Sequence, residues 1–531
     1  MSIGGGRRHG GNDWFDWDRS DLVRTSVAAA VSAAALTTMV VISLALVSMA
    51  AVRPISHPVW LSPTARVGYY PAWLAGPLGP LTSWFSVGSS SLEALFTAGV
   101  ATMYIAYVAV LVCAPRMRSG WALSAVVALQ LIFFLSPPLP LTDVFNYLNY
   151  GRMEIVHGLN PYTTIPALEP HNDPTFMLSN WHGLLSPYGP LFTLFTLAIV
   201  GLGVAGSFWA LKIVLLTMSL ATIRLMWSCA GLLGRNRLSA ALFIGLNPIV
   251  LVWGLGADHN DFFMIFAIVL GMYLLLRARN ARELLVREPG TVGPSASAPH
   301  SSLRARLRQA LAWIDGAPRP LPLGEPGWWW EFGAGLALAG AVAVKASAAI
   351  LIPVVLAGSA RRLRLSAGLL TGFIVVAMAT LSAFGPNLPN LLQQDALVIP
   401  AGIPNLIGYG VGFGGDAGGV RIVFTAVLIA AVIGCSVWAW RTREWLLPCA
   451  VVTLVLLITL SWTLPWYLIW LLPFAGLAQG RRIRIAVLVV GAYLFISWMP
   501  YSTSIERTLG LHPESTNVGR SNERFLHSLL Y

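Results

Sequence analysis

Roughly a dozen apolar runs, each close to the ~20 residues that cross a bilayer, follow one another from Thr25 to Pro500, and carboxylates are almost absent from them. A soluble chain carries about 25% charged residues; this one has 11%, with 56% apolar. The chain therefore reads as an all-α polytopic membrane protein whose immediate surroundings are membrane lipid. The net charge of +12 resides in arginines between the runs, as the positive-inside rule expects of cytoplasmic loops. That distribution argues against a nucleic-acid partner. Four cysteines without a CxxC pair indicate neither a metal site nor a disulfide framework.

Residues 1–24 carry Arg7, Arg8, Arg19 and Arg24 and are expected in the cytoplasm. The first run, Thr25 to Val52, is long for a cleavable leader and lacks an A-x-A-like site, so it reads as a signal anchor. Spans over Leu92–Ala114 and Trp121–Pro137 then deliver Asp143 to the outer face. Strict alternation beyond this point would put Arg235 and Arg237 outside. Leu191–Leu202, short and flanked by Pro187, Pro190, Gly201, Gly203 and Gly206, restores the rule if it dips in and returns. Phe332–Leu356 has basic flanks on both sides, which calls for two short helices meeting near Lys345. The resulting plan is one polytopic unit over 25–500 and an extracytoplasmic tail over 501–531. Within the unit, residues 277–328, with eight arginines, read as a basic cytoplasmic linker, partly disordered and with a surface helix over 303–314.

Under this topology the unusual polar groups gather on the outer side. They are Asp143, Tyr147, Tyr150, Arg152, Glu154 and His157; His171, Asp173, His182 and Tyr188; Asp258-His259-Asn260-Asp261; Asn405, Tyr409 and Asp416; and Trp462 to Tyr467. Asp143 either caps the following helix or serves as a base, with Tyr147 and Tyr150 on the same helical face. Asp258, His259 and Asp261 either solvate a turn or touch substrate; a divalent cation is possible there but not indicated, and no cofactor is expected. Trp466 and Tyr467 fit interfacial anchors or sugar-stacking platforms. Lys345, a cation at membrane depth, needs a partner or a function. The loop from Leu168 to Ser186 lacks a helical pattern and is the natural candidate for a lid that orders on substrate.

If the donor is a sugar on a polyprenyl phosphate and the acceptor a glycan hydroxyl, these groups can be given roles. A carboxylate serves as base for the hydroxyl, and cations hold the departing phosphate: Arg152, with its fork geometry, His259 and Lys345. One base and one clamp imply a single displacement with inversion.

The stretch Asp143…Tyr147…Tyr150-Gly151-Arg152…Gly158-Leu159-Asn160-Pro161-Tyr162 resembles the first acidic loop of the membrane GT-C glycosyltransferases. With Ser186-Pro187-Tyr188-Gly189-Pro190, Asn247-Pro248, Asp258-His259-Asn260-Asp261, Val344-Lys345-Ala346 and Leu464-Pro465-Trp466-Tyr467, it most resembles the actinobacterial polyprenyl-phosphomannose-dependent α-1,6-mannosyltransferases. The resemblance implies a GT-C bundle of roughly 12–14 helices, some short or re-entrant, with its active-site loops at the outer face of the plasma membrane. It implies polyprenyl-phosphate mannose as donor and a growing α-1,6-mannan of a lipoglycan such as lipomannan as acceptor. Asp143 becomes the base; Arg152, His259 and Lys345 take the lipid phosphate. Tyr147, Tyr150, Asn160, Tyr162, His182, Tyr188, Asp258, Asn260, Asp261, Trp466 and Tyr467 line the substrate. The chain departs from many GT-C enzymes in placing two further spans before Asp143. An arabinosyl or glucosyl transferase of the same fold, a lipid-linked sugar flippase and a non-catalytic scaffold are the alternatives.

Overall fold

The computed structural model describes residues 22–51, 71–84, 89–140, 143–287 and 328–530, and every regular element among them is helical. The N-terminal segment before Leu22 and the 303–314 helix lie outside the described residues. Apolar composition without strand-like alternation satisfies each backbone group within its own segment, as lipid demands.

Helices α1 (Leu22–Ala51), α2 (Ser89–Cys113) and α3 (Ser119–Phe134) match the first three expected spans to within a few residues. The polar helix α4 (Asp143–His157) follows, then α5 (Pro174–Leu178), α6 (Pro190–Ile199), α7 (Gly203–Leu232), α8 (Arg237–Gly245) and α9 (Asp261–Arg287). The chain resumes with α10 (Trp328–Val344), α11 (Leu351–Gly358), α12 (Arg362–Phe384), α13 (Leu391–Asp395), α14 (Ile403–Gly410), α15 (Gly418–Thr442), α16 (Leu446–Thr459), α17 (Leu468–Leu477) and α18 (Arg481–Trp498). Two short terminal helices, α19 (Ser502–Thr508) and α20 (Asn517–Leu530), complete it.

Among the described residues, six helices are long and apolar enough to cross a membrane, seven if α18 and α19, bent by 94°, form one span; five shorter apolar segments accompany them. Of the shorter ones, α17 is buried along its whole length, where a helix need not match the bilayer thickness. The pair expected near Lys345 is present: α10 ends at Val344, Lys345 takes extended backbone (φ −151°, ψ 120°), and a 3-10 turn over Ala346–Ile350 leads into α11. Helix α6 has only ten residues and meets α7 through a 3-10 turn and Gly203 at φ +70°. The linker expected from Arg277 starts later, because α9 continues to Arg287. Arg279 pairs with Glu283 one turn on, and Arg277 lies over the Trp330 ring, so these arginines belong to the helix rather than to a loop.

Charge divides the bundle into two ends. At one end Arg279 bonds Glu444, Arg282 pairs with Glu331 and the Arg362 guanidinium covers Trp440. Asp261 opens α9 at the other end, about 27 Å from Arg279 along the helix. Helix α10 packs along both α9 and α12, and α7 along α9.

Candidate functional site

Three chain segments bring charge to the end opposite the arginines. The first is the start of α4. Asp143 Oδ1 accepts the Trp181 indole N–H at 3.1 Å, and Oδ2 lies 3.9 Å from His259 Nδ1. Only 14% of the Asp143 side chain is exposed. Burial raises its pKa to about 6, against the opposing pull of the Trp181 bond and the Lys345 charge, with Asp261 adding to the rise.

The second segment joins α8 to α9. A π-helical stretch, Val250–Leu255, precedes it, and Asp258 sits in the left-handed region at φ +58°. Both are departures from regular helix of the kind that accumulate at functional sites. His259 stacks on Trp466 at 3.7 Å, and its Nδ1 is 3.2 Å from the Tyr147 hydroxyl. Burial, helped by the Lys345 charge, depresses the His259 pKa and keeps the ring neutral. His259 Nε2 and both polar atoms of the Asn260 side chain are buried with no hydrogen-bond partner among the described residues. A native fold leaves few such groups.

The third segment is the break between α10 and α11. Lys345 Nζ binds both oxygens of Asp261, and the Trp470 indole donates to the same carboxylate. The ammonium also lies 4.9 Å from the Tyr467 ring centre and 5.3 Å from that of Trp470. Gly189 seats the α6 loop on this break: its N–H donates to Val344 O at 3.0 Å, and a Cβ there would stand 2.2 Å from Ala343 O.

The structure thus brings Asp143, Tyr147, His259, Asp261, Lys345, Trp466 and Tyr467 together. Tyr188 packs edge-on against Tyr147 at 4.8 Å and lies 6.0 Å from Tyr150, whose hydroxyl donates to Leu184 O. Trp466 and Tyr467 are neither surface anchors nor open platforms; both are buried walls behind His259 and Lys345.

Other expected residues brace the scaffold. Arg152 stands about 13 Å beyond Asp143 along α4, and its guanidinium fork closes on Asp173, which also receives His157. The geometry that suits phosphate suits a carboxylate equally, and Asp173 occupies it. Asn160 donates to Phe384 O, the Tyr162 hydroxyl donates to Tyr188 O and is hydrogen-bonded with the Thr193 hydroxyl, and His182 stacks on Phe176. Asp258 pairs with Lys212 at 3.2 Å, and the same ammonium donates to Ser136 O. Asn405 and Asp416 brace each other within their own loop, where Arg421 reaches the Asp416 carboxylate.

The 168–186 loop is not an unstructured lid. One side of α4 holds it: Asp143 binds Trp181, Asn146 binds Asn180 and the Trp181 N–H, Asn149 binds Glu169 and Thr175, and Arg152 binds Asp173. Asp173 also caps the short α5. Sequence reasoning misses the roles of two tryptophans at the site, Trp181 and Trp470, and of Lys212, the partner of Asp258. A lysine in a span was a signal available for Lys212 as much as for Lys345. The tryptophans gave none, since in sequence they look like any interfacial tryptophan. No group of three His, Cys, Asp or Glu side chains able to hold a metal occurs among the described residues.

Residues 61–361 match the family described as alpha-(1->6)-mannopyranosyltransferase, N-terminal domain. Alpha-(1->6)-mannopyranosyltransferase A of Mycobacterium tuberculosis (strain ATCC 25618 / H37Rv) is 27% identical over 221 residues, 38% of this chain and 41% of the relative. The protein of the same name from Corynebacterium glutamicum is 30% identical over 159 residues, 29% of this chain and 31% of the relative. The alignments therefore span less than half the length of either relative. No solved structure matches the chain.

Proposed function

The chain belongs to the alpha-(1->6)-mannopyranosyltransferase family, and on that premise we propose that it moves mannose from polyprenyl-phosphate mannose onto a growing α-1,6-mannan of a cell-envelope lipoglycan. The observation that carries this reading is the meeting of a buried carboxylate, Asp143, with a buried cation, Lys345, at one end of an apolar bundle. In this reading that end faces the extracytoplasmic side, with the arginines of the other end in the cytoplasm.

Asp143 takes the proton of the acceptor hydroxyl as its oxygen attacks the anomeric carbon. The bond from that carbon to the phosphate oxygen breaks, and the polyprenyl phosphate leaves with the electron pair. A single displacement inverts the centre, so an α product requires a β-linked donor. Lys345 has three N–H donors, and with Asp261 taking its charge from one side it can still bond a phosphate oxygen. With the Tyr147 hydroxyl donating to Nδ1, the neutral His259 carries its proton on Nε2, where it serves as a second donor. The two polar atoms of the Asn260 amide offer further bonds to sugar hydroxyls.

An apolar groove supports a lipid-linked donor. It encloses about 220 Å³, room for the first units of an isoprenoid, and Met264, Ile268, Ser347, Ala348, Leu351, Leu456 and Trp470 are among its lining residues. Trp470 is also the residue that donates to Asp261, so one indole stands between the groove and the Lys345–Asp261 pair. A phosphate on Lys345 would leave an attached isoprenoid lying along the groove.

The decisive assay uses purified protein, polyprenyl-phosphate mannose and a short α-1,6-mannoside. Wild type should transfer mannose, and Asp143→Asn should lose on the order of 10²–10⁴-fold in kcat with its fold intact. Transfer that survives the substitution would remove Asp143 from the base role.

A further inference from the structure

Helix α20 carries Val518, Asn522, Phe525, Leu526 and Leu529 at i, i+4, i+7, i+8 and i+11, an apolar stripe with a single amide in it. The stripe does not join the main core. Leu529, Leu184 and Leu397 form a small separate cluster, with Phe525, Leu526, Trp181 and Trp462 packed against it. Two polar contacts fix the docking. Asn522 reads both backbone groups of Val398, accepting its N–H at 3.1 Å and donating to its carbonyl at 2.8 Å. Leu529 O accepts the Gly183 N–H at 2.9 Å, and a Cβ at position 183 would stand 2.4 Å from Ser528 O, so a glycine there is what lets the helix come this close.

Both contacts lead to one side chain. Gly183 is two residues from Trp181. Val398 is followed by Ile399, whose N–H bonds Ser461 O at 3.0 Å, and the next residue, Trp462, meets Trp181 edge-on at 6.2 Å. Trp181 in turn donates to Asp143.

We propose that α20 is a positioning element of the transfer site, clamping the loop that carries Trp181 so that its indole stays on Asp143. The helix touches no reacting group. It acts through Trp181, by positioning rather than by chemistry. The proposal rests on Asp143 being the base. The other titratable groups around Asp143 are Tyr147, Tyr150, Tyr188, Tyr467, His259, Lys345 and Asp261. Apart from Tyr150, which touches the same loop at Leu184, none is held by α20.

The test uses the full chain carrying Asn522→Ala and Leu529→Ala together, with Trp181→Phe alone and in combination. Hydrogen exchange at residues 181–185 should quicken about tenfold in the double variant, with α9 and α17 unchanged. The acid limb of kcat against pH should move upward by about half a unit, about a threefold loss below the limb, because the Trp181 bond holds the Asp143 pKa down. Trp181→Phe should move it equally, and the combination should move it no further. Unchanged exchange at 181–185 would overturn the clamp, as would a limb that stays in place or shifts that add. Absence of transfer by wild type would count against the transferase reading, and the exchange arm would still decide whether α20 holds the loop.

Discussion

From the break that separates α10 from α11, Lys345 Nζ lies 2.9 and 3.0 Å from the two oxygens of Asp261, the first residue of α9. Asp261 is fully buried and Lys345 nearly so. Removing the ammonium strands a buried carboxylate, a loss of about 3–5 kcal/mol, and also removes the cation that meets the phosphate. Lys345→Met is expected to unfold earlier in denaturant and to lose more than about 100-fold in kcat/KM. Adding Asp261→Asn should restore much of the stability and none of the activity. Activity that recovers with stability would reduce the pair to a structural tie.

Activity should depend on pH through Asp143. Burial favours its protonated form, and a protonated carboxyl cannot accept a proton, so kcat should fall below about pH 6 and level off above it. The same shift bears on stability. A carboxyl whose pKa is raised by folding stabilises the fold below its unfolded value, and that contribution is lost as pH rises through about 6. Asp143→Asn should therefore be at least as stable as wild type at pH 7. Rate profiles and thermal unfolding in the same detergent check both statements; a limb near pH 4 would contradict the burial of the acid.

The sequence made the ends of the spans legible because apolar length and arginine placement are local properties. Lys345 stood out for the same reason, as a cation in a run that should hold none. What it could not show were the partners. Asp143 finds Trp181, Asp258 finds Lys212 and Asp261 finds Trp470 across separations of 38, 46 and 209 residues. Arg152 illustrates the same limit from the other side: its fork geometry identified what it can bind but not that Asp173 would reach it first. Trp466 and Tyr467 have the composition of interfacial anchors, and only the packing of His259 and Lys345 against their faces gives them another role.

The groove beside Trp470 should be read by the length of the donor's isoprenoid. Ser347 and Ala348 line it immediately after Lys345. A bulky side chain there should obstruct the chain beyond its first units and leave the phosphate contact alone. Ala348→Trp is expected to raise KM on the order of tenfold, about 1.4 kcal/mol, for a long polyprenyl donor, with little change for a donor shortened to one or two isoprene units. Equal effects on both donors would place the lipid elsewhere.

The loop stapled to α4 should loosen as pH rises past 8. Glu169 is buried against Asn149, whose amide donates to it at 2.6 Å, and its other oxygen has no partner among the described residues. Burial lifts its pKa to about 8; the Asn149 bond opposes this, and the Asp173 charge adds to it. Asp173 is the reverse case, held well below the usual carboxylate range by Arg152, Thr175 and His157 despite its own burial. Glu169 therefore stabilises the fold in its protonated form, and that contribution disappears as pH rises through about 8. Exchange at residues 165–175 should accelerate in wild type between pH 7 and 9 beyond the intrinsic base-catalysed rise. Glu169→Gln keeps a neutral side chain in place and should remove that excess. An excess that persists in the variant would assign the loosening to another group.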